Sequence, residues 1–201
     1  MDLNNRFIVF DRTALSDHPR LQSIYYFLIN YSVQRRMKQG LKAGLNQYVV
    51  NEEISDLLID EQSASLLSEN YRTARKYGTI HFSVTQMISD FTQNNYTKAI
   101  LANSYIKFIL HLDSEYELLS VLGLNDNEID SVKNLKTIPK KYSEIFVKYG
   151  MNTSFVLKIE PSKLDYEICA TDKQSYTRYH EYYDRGAVQL FDKIKDYAHA
   201  K

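Results

Sequence analysis

The sequence predicts an α/β fold. A mostly parallel sheet flanked by helices spans residues 1–112, and a tail over 113–201 forms a small antiparallel meander and a terminal helix. Three observations carry this. Short apolar runs alternate with longer stretches of helical period through the first 112 residues. Those runs mostly fail to alternate apolar with polar, as expected of parallel strands covered on both faces. Beyond Asp113, β-rich runs follow one another with only short breaks, which is the pattern of a meander.

Taken in order, "RFIVFD" (6–11) is a short strand closed by Asp11. A helix follows, with Ser16 and Asp17 placed to cap its start and Gly40 to end it. Its residues Leu21, Ile24, Tyr25, Leu28 and Ile29 recur at helical spacing. "NQYVVNEE" (46–53) is a second strand running into acid, and a helix or helix pair then leads to Gly78. "TIHFSVT" (79–85) is the third strand. A helical stretch interrupted near Asn94 and Asn95 precedes a fourth strand, "YIKFILHL" (105–112). In the tail, "SEYELLSVLG" and "NEIDSVKNL" are short helices, and "SEIFVKYG", "TSFVLKIE" and "DYEICAT" are the meander. Thr171 and Gln174 fit a capping box for the last helix.

Composition narrows the function classes. Twenty-five basic and 25 acidic residues balance, so no global basic surface points to nucleic acid. One cysteine, Cys169, excludes an internal disulfide and reads as a small buried residue in a strand. No run of eighteen apolar residues predicts a membrane span, and "MDLNNRF" is unlike a secretory leader. "HEYYD" (180–184) approaches a zinc motif, but Asp184 stands where the second His belongs, so no metal site is assigned. Tyr176, Tyr179 and Tyr183 share a helical face and read as core.

In parallel sheets ligands gather at the carboxyl ends of strands. The residues there are Asp11, Glu52, Glu53, Thr85 and Gln86. A hydrophobic strand ending in two carboxylates can serve a magnesium shell and an attacking water, and a Gln closing the adjacent strand can sense a phosphate. Arg72 and Arg75 can fork onto phosphate oxygens, in cis or in a neighbouring subunit. The alternatives are an acidic turn, a helix cap for Gln86 and a solvated helix face for the arginines.

"NYRTARKYGTIHFSVTQMISDF" closely resembles the Arg-Lys-to-Gln segment of the TraC-type conjugative ATPases, the energisers of type IV secretion systems. "FIVFDRTAL", "VVNEEISDLL", "AILANSYIKFIL", "KKYSEIFVKYG" and "SFVLKIEPSKLDYEICATD" follow the same family in order. The resemblance implies a partial RecA-like ATPase core, ATP and magnesium as cofactors, and activity in substrate export or pilus assembly. It implies catalytic roles for Glu52, Glu53, Gln86, Arg72 and Arg75. Glu52 would meet magnesium through water, Gln86 would sense phosphate, and Asn103 would belong to a later nucleotide motif. The acidic pair aligns as Glu52 and Glu53, or with a slip of one as Asn51 and Glu52.

These 201 residues contain no G-x-x-x-x-G-K-[ST]. The expectation is therefore the carboxyl-terminal part of such an ATPase, a split-gene product or a remnant, inactive alone. Expected partners are sibling subunits in a hexamer, a P-loop-bearing amino-terminal half, and secretion-channel proteins. The expected place is the cytoplasmic face of the inner membrane. The alternative is a non-enzymatic docking subunit with the same fold.

Overall fold

A computed structural model of the chain describes residues 5–11, 15, 17–169, 173 and 177. The described chain divides into two compact units, Met1–Ile106 with Ser114–Asn125, and Lys107–Asp113 with Asp126–Lys201.

The first unit contains helix α1 (Pro19–Lys42), strand β1 (Gln47–Asn51), helices α2 (Ser55–Ile59) and α3 (Glu61–Thr73), strand β2 (Thr79–Ser83) and helix α4 (Asn95–Asn103). β1 and β2 pair in parallel, with Gln47 opposite Thr79 and Asn51 opposite Ser83. The helices form the apolar core. Tyr26 of α1, Ile54, Leu57 and Leu58 around α2, Ala64, Leu67 and Tyr71 of α3, and Ile100 of α4 pack together. Asp60 caps α3 by accepting the Ser63 N–H at 2.9 Å. Asn94 and Thr97 form a capping box for α4, which explains the break expected near Asn94.

Several expectations need correction. Residues 6–11 form no strand, and Phe7 and Val9 are exposed. An extended segment becomes a strand only through a ladder partner, and none stands beside it among the described residues. α1 starts at Pro19, which is suited to a first helical position, and His18 makes no side-chain cap. Asp17 is not the cap, and Ser16 lies outside the described residues. Gly40 does not end α1 either. A Cβ there would collide with the Gln47 side chain, so this glycine permits close approach, and Gly44 at φ 66° follows the true end.

The second unit carries strands β3 (Ile106–Ile109, beginning at the boundary), β4 (Thr137–Ile138), β5 (Tyr142–Tyr149) and β6 (Thr153–Ile159), with helices α5 (Asp126–Lys133) and α6 (Lys163–Cys169). β5 pairs antiparallel with β6 along its length and with β4 at its start. β3 neighbours β5 rather than extending the parallel pair. Periodicity identifies a strand but not its neighbour. The run "DYEICAT" is helical to Cys169, because Ser162 and Asp165 bond reciprocally as a capping box. Cys169 is exposed, not buried in a strand. Lys148 lies buried in β5 and donates to both Glu128 oxygens at 2.7 and 2.9 Å. Burial, then the Lys148 charge, lowers the Lys107 ammonium from its usual range. The expected last helix, with Thr171, Gln174, "HEYYD" and the three tyrosines, lies outside the described residues.

The fold class is the expected one: helices with a parallel sheet, then antiparallel strands. No described helix is long and apolar enough to cross a membrane.

Candidate functional site at the strand ends

Parallel pairing places the carboxyl ends of β1 and β2 side by side. The ladder continues past the last strand residues. Val84 N–H donates to the Asn51 carbonyl at 2.9 Å, and the Val84 carbonyl accepts from Ile54 N–H at 3.0 Å. In a regular parallel ladder that second donor would be Glu53. One extra residue is therefore looped out, a bulge. Glu53 absorbs it with φ 48°, a left-handed conformation uncommon for a non-glycine residue. Glu52 and Glu53 are both exposed on this bulge.

Gln86 follows two residues after Val84, exposed at the same edge. It does not cap a helix. The 3-10 turn that follows, Ile88–Phe91, has Met87 at its start and no cap from its own segment. Glu115 supplies that role from 27 residues away, accepting Ile88 N–H at 2.6 Å and Ser89 N–H at 3.3 Å. Hydrogen bonds from the Ser89 side chain, and then from these backbone groups, hold the Glu115 carboxyl below its ordinary range. Thr85 Oγ1 accepts Met87 N–H at 3.2 Å and donates to Asp90. Gln86 thus projects from a turn pinned on both sides. No feature of the sequence marked Glu115. Thr85 was marked as a strand end without its bonding role.

The arginines lie elsewhere. Arg72 is in the last turn of α3, and Arg75 is in the 3-10 turn Ala74–Tyr77 that leads into Gly78. Both are exposed, and Arg72 stands 3.9 Å from Glu69. Gly78 accepts Gln47 N–H at 3.1 Å, so this turn is level with the start of β1. Six residues of strand from Gly78 to Val84 span about 20 Å. An arginine side chain reaches about 7 Å. The structure therefore sets Glu52, Glu53 and Gln86 at the carboxyl end of the sheet and Arg75 at the opposite end, while Arg72 follows Tyr71, whose hydroxyl meets Ser83. Asn103 closes α4, and its amide turns back to donate to the Ala99 carbonyl at 2.8 Å.

Beneath the sheet lies a polar layer. Tyr71 and Ser83 share a hydrogen bond, and the Tyr71 ring sits 5.0 Å from His81. Both His81 nitrogens are buried without a partner among the described residues. Burial lowers the His81 pKa to about 4, so this imidazole is neutral at physiological pH.

Two carboxylates and an amide suit one wall of a magnesium–nucleotide site. They do not make a whole one. Among the described residues no group of three acidic, His or Cys side chains is placed to hold a metal. The lysine and backbone cradle of a P-loop are not among these 201 residues.

The family model of the TraG P-loop domain matches residues 1–200. The solved structure of VirB4 of Thermoanaerobacter pseudethanolicus is similar in fold, with a TM-score of 0.65 and 20% identity over 82% of this chain. The match spans 44% of that VirB4 chain. No curated protein matches. The chain belongs to the TraG P-loop domain family.

Proposed function

We propose that this member of the TraG P-loop domain family is the carboxyl-terminal part of a type IV secretion or conjugation ATPase. It would supply the wall of the nucleotide site that faces the P-loop. The observation that supports this best is the level parallel end of β1 and β2, where the Glu53 bulge sets two carboxylates beside Gln86. ATP and magnesium would be held chiefly by a P-loop outside these residues. On this wall Glu52 is the carboxylate that both alignments retain, directed at the metal's water shell. Glu53 would orient the attacking water, and Gln86 would offer its amide to the terminal phosphate.

Arg75, with Arg72 one helical turn before it, would act on the site of an adjacent copy, because the sheet's length separates Arg75 from Gln86. That is the head-to-tail arrangement of a ring assembly. Asn103 would serve the end of α4 rather than contact nucleotide. In this reading the chain works in an assembly peripheral to a membrane, coupled to a secretion channel.

The test is ATP turnover by the assembly that holds these residues together with the P-loop. Wild-type chain should support turnover. Glu52→Gln, Glu53→Gln and Gln86→Ala should each lower kcat at least tenfold with smaller changes in KM. Equal turnover from all four would refute the assignment and favour a docking subunit.

A further inference from the structure

Gln86 sits between two fixed points. On its amino side Val84 is held to the neighbouring segment, donating to the Asn51 carbonyl and accepting from Ile54 N–H. On its carboxyl side three consecutive N–H groups are taken. The Thr85 hydroxyl accepts Met87 N–H, and a single oxygen, Glu115 Oε2, accepts both Ile88 N–H and Ser89 N–H. Thr85 in turn donates to the buried Asp90. The Gln86 side chain is exposed and makes no hydrogen bond among the described residues. Its backbone is therefore held while its amide stays free for a ligand. Glu115 itself adopts a left-handed backbone, φ 63°, uncommon for a residue with a Cβ. It opens the 3-10 turn Tyr116–Leu122. Its carbonyl accepts Leu118 N–H at 2.9 Å, and Leu119 and Leu122 of that turn are buried. Such conformations persist where the surroundings over-determine them, and they gather at functional sites.

We infer that Glu115 is a positioning residue, which fixes the turn after Gln86 so that the Gln86 amide faces the terminal phosphate. The inference rests on the function proposed above and adds to it a residue that touches neither nucleotide nor metal. A cap alone does not explain the arrangement. Any acceptor would satisfy the first N–H groups of the Ile88–Phe91 turn, and a polar side chain at its own start would do so locally. Here the turn starts on Met87, which makes no side-chain cap, and the acceptor comes from a segment 26 and 27 residues away. A local cap would shape the turn. A distant one also fixes where the turn stands, because Leu119 and Leu122 anchor the segment that carries it. Residues Ser114–Asn125 and Gln86 belong to the same compact unit, so the clamp and the group it holds share one body. An amide held near its working geometry loses little orientational freedom when the phosphate arrives.

The experiment is a double-mutant cycle on ATP turnover by the assembly that holds these residues together with the P-loop. Glu115→Ala should lower kcat about fivefold or more, with KM within about twofold, and no further than Gln86→Ala does. Added to Gln86→Ala, it should change kcat by less than about twofold, because the group it positions is gone. Glu115→Gln keeps an oxygen for both N–H donors and should recover most of the loss. Amide exchange gives a readout apart from activity. The segment 85–91 should exchange about tenfold faster in Glu115→Ala, with β1 and β2 unchanged. Losses that multiply in the double variant, or faster exchange throughout β1 and β2, would mark a role in the fold alone and overturn the proposal. Wild-type kcat in Glu115→Ala, with Gln86→Ala impaired, would overturn it while leaving the function standing. Wild-type kcat in Gln86→Ala would refute both.

Discussion

Arg72 and Arg75 give a prediction whose size follows from the fold. Gln86 lies about 20 Å of strand from the turn that carries Arg75, and a guanidinium covers about 7 Å of that. A phosphate beside Gln86 is beyond Arg75 of the same copy. Two inactive variants should therefore restore each other. One carries Arg72→Ala and Arg75→Ala, and the other carries Glu52→Gln and Glu53→Gln. Each alone, in an assembly that holds the P-loop, should lose about 10³ in kcat, the low end for an arginine finger. In a random equal mixture about a quarter of head-to-tail contacts join intact arginines to an intact acidic pair. Turnover should return to about a quarter of wild type, several hundredfold above either parent. Steady-state phosphate release at varied mixing ratios measures it. Arg→Lys at both positions should restore little, because a planar fork is lost. No return at any ratio, with assembly shown intact by sedimentation, would refute the placement of the arginines across the contact.

Three further outcomes concern stability. The His81 pKa lies near 4 in the fold and near 6.5 unfolded, so the unfolded chain binds the extra proton between those values. Stability should be full above pH 6.5 and fall by about 3 kcal/mol as pH drops to 4. Denaturant titrations should show this fall, and His81→Leu should flatten it. Glu128→Gln leaves the buried Lys148 ammonium without its counter-charge and should cost about 3–5 kcal/mol, whereas Glu128→Leu with Lys148→Met should lie within about 1 kcal/mol of wild type. Equal losses in single and double variants would contradict that account. Gly78 has φ 61° with nothing closer than 3.8 Å to an added Cβ, so Gly78→Ala should cost about 1 kcal/mol through backbone conformation alone. A neutral result in thermal unfolding would remove the strain argument.

The parallel pair was legible because "QYVVN" and "TIHFS" are β-rich runs bounded by Gly78 and by acid. Their carboxyl ends followed from the topology such runs imply. The bulge was not legible. Nothing in "VVNEEIS" marks where a residue leaves the ladder, and only the Val84 hydrogen bonds show it. Glu115 was invisible because its partners are 26 and 27 residues distant. Gly40 misled because a glycine that admits a neighbour reads like one that ends a helix. The helix at Lys163–Cys169 had a local signal, Ser162 with Asp165, that was outweighed by the β-branched and aromatic content around it. The distance between Arg75 and Gln86 required the register, since proximity in sequence had suggested proximity in space.

The most direct measurement is a structure of these residues together with the P-loop of the site, with magnesium and a non-hydrolysable ATP analogue. The account predicts the Gln86 amide within hydrogen-bond or single-water reach of the terminal phosphate. It also predicts Glu52 on the metal's water shell, and Arg72 or Arg75 at the phosphate of an adjacent copy. A nucleotide bound away from the joined ends of β1 and β2, with Glu52, Glu53 and Gln86 all beyond such reach, would contradict it.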